Sequence, residues 1–309
     1  MSAKATRAAY GETLVELVGE GMDVVAVDAD LSGSTTTKKL GDAYPGRLIN
    51  VGIAEQNMIG VAAGLSLAGK VVFTGSFAVF GTGRVYDQIR NTVCYSKLNV
   101  KIAPTHSGIT VGPDGGSHQM LEDINLMRAL PNMRVLVPSD YASAKAAIRL
   151  AAENPGPFYV RLGRSKVPEV YGPNDAFEVG RAKVLREGSD VTIVACGIEV
   201  AAALGAAELL AAHGIEAEVI DAFSIKPLDA ETILASASKT GAVVTVEEHL
   251  VCGGLGSAVS ELLGERLPTR MKRIGVEDRF GTSGEPDELL AAFGLDAPSI
   301  AETVEGFLA

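Results

Sequence analysis

Short runs of β-branched and aliphatic residues alternate with longer segments of helical period, and this alternation constrains the fold more than any other feature. In the N-terminal half, strands are predicted at residues 23–27, 48–51, 71–74, 100–103, 134–137 and 158–161, and helices at 8–19, 55–68, 81–95, 119–130 and 141–152. The alternation resumes later, with strands at 191–195, 217–220, 243–247 and 273–276 and helices at 198–212, 230–238 and 255–263. Because parallel strands joined by helices require right-handed crossovers, the pattern predicts largely parallel sheets covered by helices.

The alternation is interrupted once, where residues 165–181 carry Pro168, Gly172 and Pro173 and lack apolar periodicity. A segment of this composition is typical of a linker. With 309 residues, the chain is long enough for about two domains that each bury a core. We therefore predict an α/β protein with two doubly wound, largely parallel-sheet domains, at residues 1–170 and 185–309, joined by a linker at 171–184.

Charge and composition exclude several classes of protein. Asp and Glu (38) outnumber Lys and Arg (27), which gives a net charge of −11, so neither nucleic acid nor an anionic membrane is expected as a partner. No run approaches the roughly 18 apolar residues of a membrane helix, and the N-terminus lacks an apolar signal segment, so a cytoplasmic location is expected. Without a CxxC spacing, Cys94, Cys196 and Cys252 are expected to be buried free thiols.

The densest polar segment, residues 104–119, follows a predicted strand and precedes a predicted helix; we call it the histidine loop. It contains His106, His118, Asp114 and four glycines. Ligands of open α/β sheets bind where such loops leave the carboxyl ends of strands, and glycines let the backbone approach a ligand closely. Plain turn chemistry would explain the same composition. The spacing of the histidines and the aspartate matches no zinc signature, so no metal site is predicted here.

Three further segments place charged or aromatic side chains at predicted strand ends. Glu55 is the first residue of a predicted helix, where an acid normally complements the helix dipole. If its apolar neighbours shield it from water, its carboxyl group is instead a candidate proton donor or acceptor. Phe77 and Phe80 share a helical face, either as core residues or as a platform for a flat heterocycle. Arg161 and Arg164 lie at the end of the last predicted strand of this half. They would either bind a phosphate group or form ion pairs.

In the C-terminal half, residues 246–256 join a strand to a helix and partly resemble a dinucleotide-binding loop. Gly254 and Gly256 match two of its glycines, but Val259 occupies the third position and no acid ends a following strand at the required distance. Close backbone packing is a sufficient explanation for these glycines. His213, at a predicted helix end, is assigned no function.

Five motifs, in this order and spacing, resemble the C-terminal half of transketolase, which consists of a pyrimidine-binding domain and the family's C-terminal domain. They are Asp-Ala-Asp-Leu-Ser-Gly-Ser at 28–34, Gly-Ile-Ala-Glu-Gln at 52–56, Ser-Phe-Ala-Val-Phe at 76–80, the Thr-His, Asp-Gly and Ser-His-Gln of the histidine loop, and Glu-Glu-His-Leu-Val-Cys-Gly-Gly-Leu-Gly at 247–256. The resemblance covers essentially the whole chain.

The resemblance implies thiamine diphosphate as cofactor. Glu55 corresponds to the family's activating glutamate, which bonds N1′ of the aminopyrimidine and so helps the cofactor's own 4′-nitrogen to remove the C2 proton. Phe77 and Phe80 would stack on the pyrimidine, and Asp30 would contact the cofactor. A third aromatic residue of many transketolases corresponds here to Gly83, which departs from the pattern.

The resemblance also implies a sugar-phosphate site. His106, Asp114 and His118 correspond to loop residues that meet phosphate, hydroxyl and reacting oxygens respectively, so both histidines join Glu55 as expected catalytic residues. Three further residues correspond to the family's phosphate contacts: Arg7, Ser34 and Arg164. Arg161 is expected to be structural. The histidine at position 106 favours transketolase over the related 1-deoxyxylulose-5-phosphate synthase, which carries an arginine there.

One family motif is missing. Thiamine-diphosphate enzymes hold the diphosphate through Mg²⁺ (or Ca²⁺) with Gly-Asp-Gly and an Asn roughly 25 to 30 residues later, and this sequence has no Gly-Asp-Gly. The resemblance therefore implies a split transketolase, in which an N-terminal subunit supplies that metal site in an α2β2 heterotetramer. The reaction would transfer a two-carbon ketol unit from a ketose phosphate to an aldose phosphate. Alternatives are a 1-deoxyxylulose-5-phosphate synthase-like or 2-oxo-acid dehydrogenase beta-like subunit, or a catalytically silent scaffold.

Overall fold

The computed structural model describes residues 3–309. Its strands are β1 (Lys4–Ala5), β2 (Val24–Asp28), β3 (Leu48–Asn50), β4 (Val71–Gly75), β5 (Val100–Ile102), β6 (Arg134–Leu136), β7 (Phe158–Val160), β8 (Lys166–Val167), β9 (Lys183–Arg186), β10 (Val191–Ala195), β11 (Ala217–Asp221), β12 (Ser224–Lys226), β13 (Ala242–Leu250) and β14 (Arg270–Val276). Its α-helices are α1 (Thr6–Gly19), α2 (Ser32–Thr35), α3 (Lys38–Ala43), α4 (Glu55–Leu67), α5 (Asp123–Arg128), α6 (Tyr141–Glu153), α7 (Glu199–Ala212), α8 (Ala230–Thr240), α9 (Leu255–Arg266), α10 (Pro286–Ala292) and α11 (Ala297–Leu308).

The larger sheet contains seven strands in the order β12-β6-β7-β5-β4-β2-β3, and its neighbours are parallel except for β12 and β6. Alternate residues of β2 face opposite sides: Val24 belongs to a core with α1 and α6, whereas Val25 belongs to a core with α4. Because helices cover both faces, β2 is apolar for four residues in a row instead of alternating with polar positions.

The smaller sheet has the order β14-β13-β10-β11-β9, parallel except for β9, which runs antiparallel to β11. Val191, Ile193 and Ala195 of β10 share a core with α7 and α11. β1 and β8 form a separate antiparallel pair. The predicted fold class, α/β with two largely parallel sheets, is confirmed.

The two halves of the chain are joined by main-chain and side-chain bonds. β12 lies in the C-terminal half of the sequence but extends the larger sheet, with Ser224 opposite Leu136 of β6. In the intervening segment Tyr171 is buried, and its hydroxyl donates to Asp221 Oδ2 at 2.7 Å. The backbone N–H of Tyr171 donates to Asp140 Oδ2 at 2.8 Å, so this segment is anchored to both halves.

Several helices differ from their predicted form. The helix predicted at 81–95 is instead two π-helical segments, Val79–Gly83 and Gln88–Cys94, and the one predicted at 119–130 is shortened to α5. Four of the helices that the structure describes lie outside the predicted ones, namely α2, α3, α10 and α11. None of the helices in residues 3–309 combines the length and apolar character that a bilayer span requires.

The thiols are not all buried. Cys94 and Cys196 are buried, and burial raises the pKa of the Cys94 thiol to about 11. The expectation that Cys252 is buried is wrong. This thiol is exposed because it lies in the turn between β13 and α9.

Candidate active site

The predicted site segments meet at the carboxyl-terminal edge of the larger sheet. Glu55 begins α4 after β3, Phe77 follows β4, His106 follows β5, and Arg164 follows β7. These strands are parallel, so their carboxyl ends share one edge, which is the usual ligand-binding edge of an open α/β sheet.

Glu55 is a buried carboxylate, with 4% of its surface exposed. Its Oε2 accepts a hydrogen bond from Arg84 Nη1 at 3.0 Å. The Arg84 guanidinium also lies over the Phe80 ring, 4.4 Å from its centre. One half-exposed arginine therefore connects the acid to the aromatic pair. Gly83, where a third aromatic residue was expected, is bordered by open space, because an added Cβ would meet no atom within 4 Å.

Two phenylalanines and two histidines form a cluster of rings. Phe77 and Phe80 are nearly parallel, with 6.2 Å between ring centres and 14° between ring planes. His106 stacks on Phe77 with a centre-to-centre distance of 3.7 Å. His118 meets Phe80 edge-on at 5.5 Å. The structure thus brings together four predicted site residues that lie up to 41 positions apart in the sequence, from Phe77 to His118.

His106 is held as a neutral imidazole. Burial, with the nearby charges of Arg7 and Arg164, lowers its pKa to about 3. Arg7 Nη1 lies 3.3 Å from Nε2, and because arginine can only donate, Nε2 accepts. The ring proton is then on Nδ1, which donates to Thr105 Oγ1 at 2.7 Å. The backbone at His106 is left-handed (φ 62°), and in this conformation the ring stacks on Phe77.

Two arginines flank this histidine. Arg7 Nη1 donates to the backbone carbonyl of Ser34 at 3.0 Å, so Ser34 contributes its main chain to this contact. Arg164 Nη1 donates to Val111 O at 2.7 Å and lies 3.3 Å from Asp114 Oδ2. Burial and the charge of Arg164 lower the pKa of Arg7, as expected for neighbouring cations that lack a full complement of anions. Such a pair can bind a phosphate dianion.

Asp30 is placed differently from the other predicted residues. It is exposed, has φ 66°, and accepts a hydrogen bond from Asn50 Nδ2 at 3.0 Å. Its buried neighbour Asp28 accepts bonds from Thr35 and Thr37 and so orders the loop after β2. Among residues 3–309, no hydrogen bond links Asp30 to Glu55 or to the aromatic pair.

Arg161 and the glycines before α9 make close contacts within the protein, as expected of structural residues. Arg161 is buried and its Nε donates to Asp123 Oδ2 at 2.7 Å. In the C-terminal half, the Glu247 carboxylate accepts the backbone N–H groups of Leu255 and Gly256 at 2.7 and 2.8 Å. The start of α9 is therefore capped from within the protein, and the glycines allow this close packing.

Sequence reasoning missed Arg84. The signal available for it was its position four residues after Phe80, which places the two side chains on one helical face. Within the described part of the chain, no three His, Cys, Asp or Glu side chains cluster closely enough to hold a metal ion.

Comparison with known protein families gives two matches that together span most of the chain. Residues 2–170 match the transketolase pyrimidine-binding domain, and residues 180–300 match the transketolase C-terminal domain.

Individual relatives of the chain are also transketolases or transketolase subunits. A protein of Methanocaldococcus jannaschii, provisionally named a transketolase C-terminal section, is 50% identical over 97% of this chain and 95% of its own length. The 6-deoxy-6-sulfo-D-fructose transketolase subunit of Clostridium sp. is 48% identical over 95% of this chain and 91% of its own. The solved structure of a split-gene transketolase, an inactive beta4 tetramer, is 53% identical, with a TM-score of 0.91 and 99% of both chains covered. Human transketolase is 38% identical, but this chain spans only 49% of it. The chain belongs to the transketolase family and corresponds to the C-terminal subunit of a split transketolase.

Proposed function

We propose that the chain, paired with a second subunit, transfers a two-carbon ketol unit from a ketose phosphate to an aldose phosphate. One observation carries the proposal: a buried carboxylate, two parallel rings, a neutral histidine and two arginines converge at one sheet edge. We also propose that residues 1–170 form the pyrimidine-binding domain and residues 185–309 the C-terminal domain, with 171–184 between them.

The residues present fit the aminopyrimidine of thiamine diphosphate. Phe77 and Phe80 offer nearly parallel ring faces, and Arg84, which lies over Phe80, donates to the buried Glu55 carboxylate. The buried hydroxyl of Ser76, next to Phe77, has no hydrogen-bond partner within residues 3–309, so one donor or acceptor stays free for a polar ligand. When bound, the cofactor supplies the electron sink for carbon–carbon cleavage.

Each residue then has a defined task. Glu55 would hold a proton at N1′ of the cofactor, and its burial would restrict exchange with water. Arg84 donates to the same carboxylate, so Glu55 would have to share or give up that bond when the cofactor binds. Phe77 and Phe80 orient the ring, and Asp30 is retained as a proposed cofactor contact.

The substrate side is assigned to the histidine loop and the arginines. Arg7 and Arg164 would bind the phosphate, with Ser34 fixing Arg7. Nε2 of neutral His106 is an acceptor, so it can exchange its bond from Arg7 for one from a substrate hydroxyl, which a charged ring could not accept. Contact of this ring with a phosphate oxygen would require the other tautomer, with the proton on Nε2. His118, half-buried beside Phe80, would hold or move a proton at the reacting oxygens, and Asp114 would accept from a substrate hydroxyl.

We propose that the diphosphate and its Mg²⁺ (or Ca²⁺) are bound by an N-terminal transketolase subunit carrying Gly-Asp-Gly and the later Asn, in an α2β2 heterotetramer. The name of the M. jannaschii relative, a C-terminal section, supports a separate N-terminal partner. The sulfosugar named for the Clostridium relative carries an anionic end group, as sugar phosphates do. Two cations at this site suit such a group.

The reaction is tested by reconstituting the two subunits with cofactor and Mg²⁺. Turnover of xylulose 5-phosphate with ribose 5-phosphate is expected. The comparison reaction is pyruvate with glyceraldehyde 3-phosphate, which a 1-deoxyxylulose-5-phosphate synthase would use. Turnover only with pyruvate would reject the proposal.

The role of Glu55 is tested with Glu55→Gln and Glu55→Ala in the reconstituted enzyme. Loss of a positioned acid or base is expected to lower kcat by about 10²- to 10⁴-fold. Glu199→Gln is the matched control, because Glu199 is equally buried but lies at the start of α7 in the C-terminal half. Unchanged kcat in the Glu55 variants would remove the proposed proton transfer.

Dependence on a partner is tested by calorimetry of the lone chain with thiamine diphosphate and Mg²⁺. We expect no tight binding until the N-terminal subunit is added, because a multivalent anion binds weakly without its metal ligands. Tight binding by the lone chain would contradict the two-chain assignment.

A further inference from the structure

A carboxylate from the C-terminal half lies beneath the histidine loop. Glu248 belongs to β13, is only 3% exposed, and accepts a hydrogen bond from the backbone N–H of Thr110 at 2.7 Å. Thr110 lies four residues after His106. The C-terminal half therefore holds the main chain of a loop that carries substrate-binding residues in the N-terminal half.

The loop is shaped to receive this carboxylate. Gly108 has φ 78°, and a Cβ added there would lie 2.0 to 2.2 Å from the carboxyl carbon and both oxygens of Glu248. The backbone of Gly108 also bridges to Met120, with its N–H donating to Met120 O at 2.9 Å. Only a glycine lets the loop close at its base while resting on the acid.

Arg161 fixes the other side of Glu248. Its Nη2 donates to the backbone carbonyl of Glu248 at 2.9 Å, and its Nη1 lies 3.6 Å from Oε2. Arg161 is in turn held by Asp123, with Nε to Oδ2 at 2.7 Å. Since Oε2 faces the guanidinium, Oε1 is left to accept from the loop.

The far end of the loop is also held by the C-terminal half. Gln119 Nε2 donates to Ile109 O and to Thr282 O, both at 2.9 Å. Gln119 directly follows His118 in the sequence. The C-terminal half thus bonds the loop four residues after His106 and directly after His118.

We propose that Glu248 is a positioning residue: by bonding Thr110 and filling the space under Gly108, it places His106 and His118 for the substrate. The inference rests on the proposed function and gives the C-terminal half a task in it. The hydrogen bond and ion pair of the Glu248 carboxylate are with Thr110 and Arg161, neither of which is a proposed substrate or cofactor contact, so its effect would pass through the loop. A loop shift of about 1 Å can change rates by about 100-fold, which is large enough to measure.

The test compares two conservative variants in the reconstituted two-chain enzyme. Glu248→Gln keeps an oxygen acceptor at the same reach but loses the charge, whereas Glu248→Asp keeps the charge and withdraws the acceptor. Positioning predicts that Asp raises KM for the ketose phosphate by about 10- to 100-fold, while Gln stays within about threefold of the wild type. The Kd for thiamine diphosphate should change by less than about threefold in both.

Glu199→Gln is the matched control. Glu199 is fully buried near Glu248, and burial, reinforced by the charge of Glu248, raises its pKa well above the usual range. Neither of its carboxyl oxygens has a hydrogen-bond partner within residues 3–309, so it lacks the loop contact. We expect its KM to match the wild type. A KM rise equal to that of Glu248→Asp would show that any change among these buried acids disturbs the site, and would overturn the proposal.

A second measurement does not depend on turnover. Amide hydrogen exchange at Thr110 should be at least about tenfold faster in Glu248→Asp than in the wild type or in Glu248→Gln. Unchanged exchange at Thr110, or a Gln variant worse than Asp, would overturn the positioning role. If the wild-type pair shows no sugar-phosphate turnover, the proposed function fails, and exchange at Thr110 alone decides whether Glu248 holds the loop.

Discussion

The neutral state of His106 makes a prediction about stability. The imidazole has a pKa of about 3 in the folded chain, whereas an unfolded histidine has one near 6.5. As the pH falls below about 6.5, the unfolded chain binds a proton that the folded chain does not. The free energy of unfolding therefore decreases as the pH falls through this window, by up to about 1.4 kcal/mol per pH unit.

His106→Asn removes this titration. Asparagine tolerates the left-handed backbone at this position, and its amide nitrogen, in the place of Nδ1, can still donate to Thr105. The bond to Arg7 and the stack on Phe77 are lost, which lowers the stability of the variant by a similar amount at each pH. Between pH 7 and pH 5, linkage predicts that the wild type loses about 2 kcal/mol more than the variant. The two proteins should thus converge in stability, or cross, as the pH falls.

The measurement is urea unfolding of both proteins at pH 7, 6 and 5, at one protein concentration and with equal m-values checked. Other acidic and basic groups contribute equally to both proteins and cancel in the difference. A difference that stays constant within about 0.5 kcal/mol across this range would refute the assignment of a buried neutral imidazole.

Three other predictions concern residues outside the site. Burial lowers the pKa of Lys101 to about 6, so above that pH the unfolded chain binds a proton that the folded chain does not. The free energy of unfolding should therefore rise by about 2 kcal/mol from pH 7 to pH 8.5. In Lys101→Met this rise should be absent, as measured by urea unfolding at both pH values. Gly254→Ala would place a methyl group 2.0 Å from the Glu247 carboxylate that caps α9. The melting temperature should fall by several degrees, and an unchanged melting temperature would contradict this packing. A thiol reagent should modify Cys252 alone in the native chain; modification of all the cysteines, or of none, would contradict the observed exposure.

Local patterns were sufficient to predict the fold class and the site's position. The helix α6 illustrates this: Asp140 accepts from the N–H of Ser143 in a capping box, and the following alanines supply a clear apolar face. Likewise, Glu55, Phe77 and His106 each follow a predicted strand, and parallel strands bring their carboxyl ends to one edge; joining the three into one site also needed the resemblance of their motifs to transketolase.

Long-range bonding could not be predicted in this way. β12 is three residues long, and only its pairing with β6 makes it a strand. The π-helical segments depend on backbone bonds that side-chain periodicity does not encode. The pairs Arg84–Glu55 and Glu248–Thr110 join residues 29 and 138 positions apart, and no local spacing relates them.

The pairing of β12 with β6 also bears on attempts to produce the first 170 residues alone. Without β12, the outer side of β6 would present unpaired N–H and C=O groups on an open strand. Such strands recruit other chains and lead to aggregation. The truncated protein would also lose the two carbonyl bonds from Lys226 Nζ to Arg128 and Leu130, at 2.9 and 2.6 Å, which close the end of α5. Soluble expression of the N-terminal half therefore calls for keeping the residues through 226, or for a substitute strand.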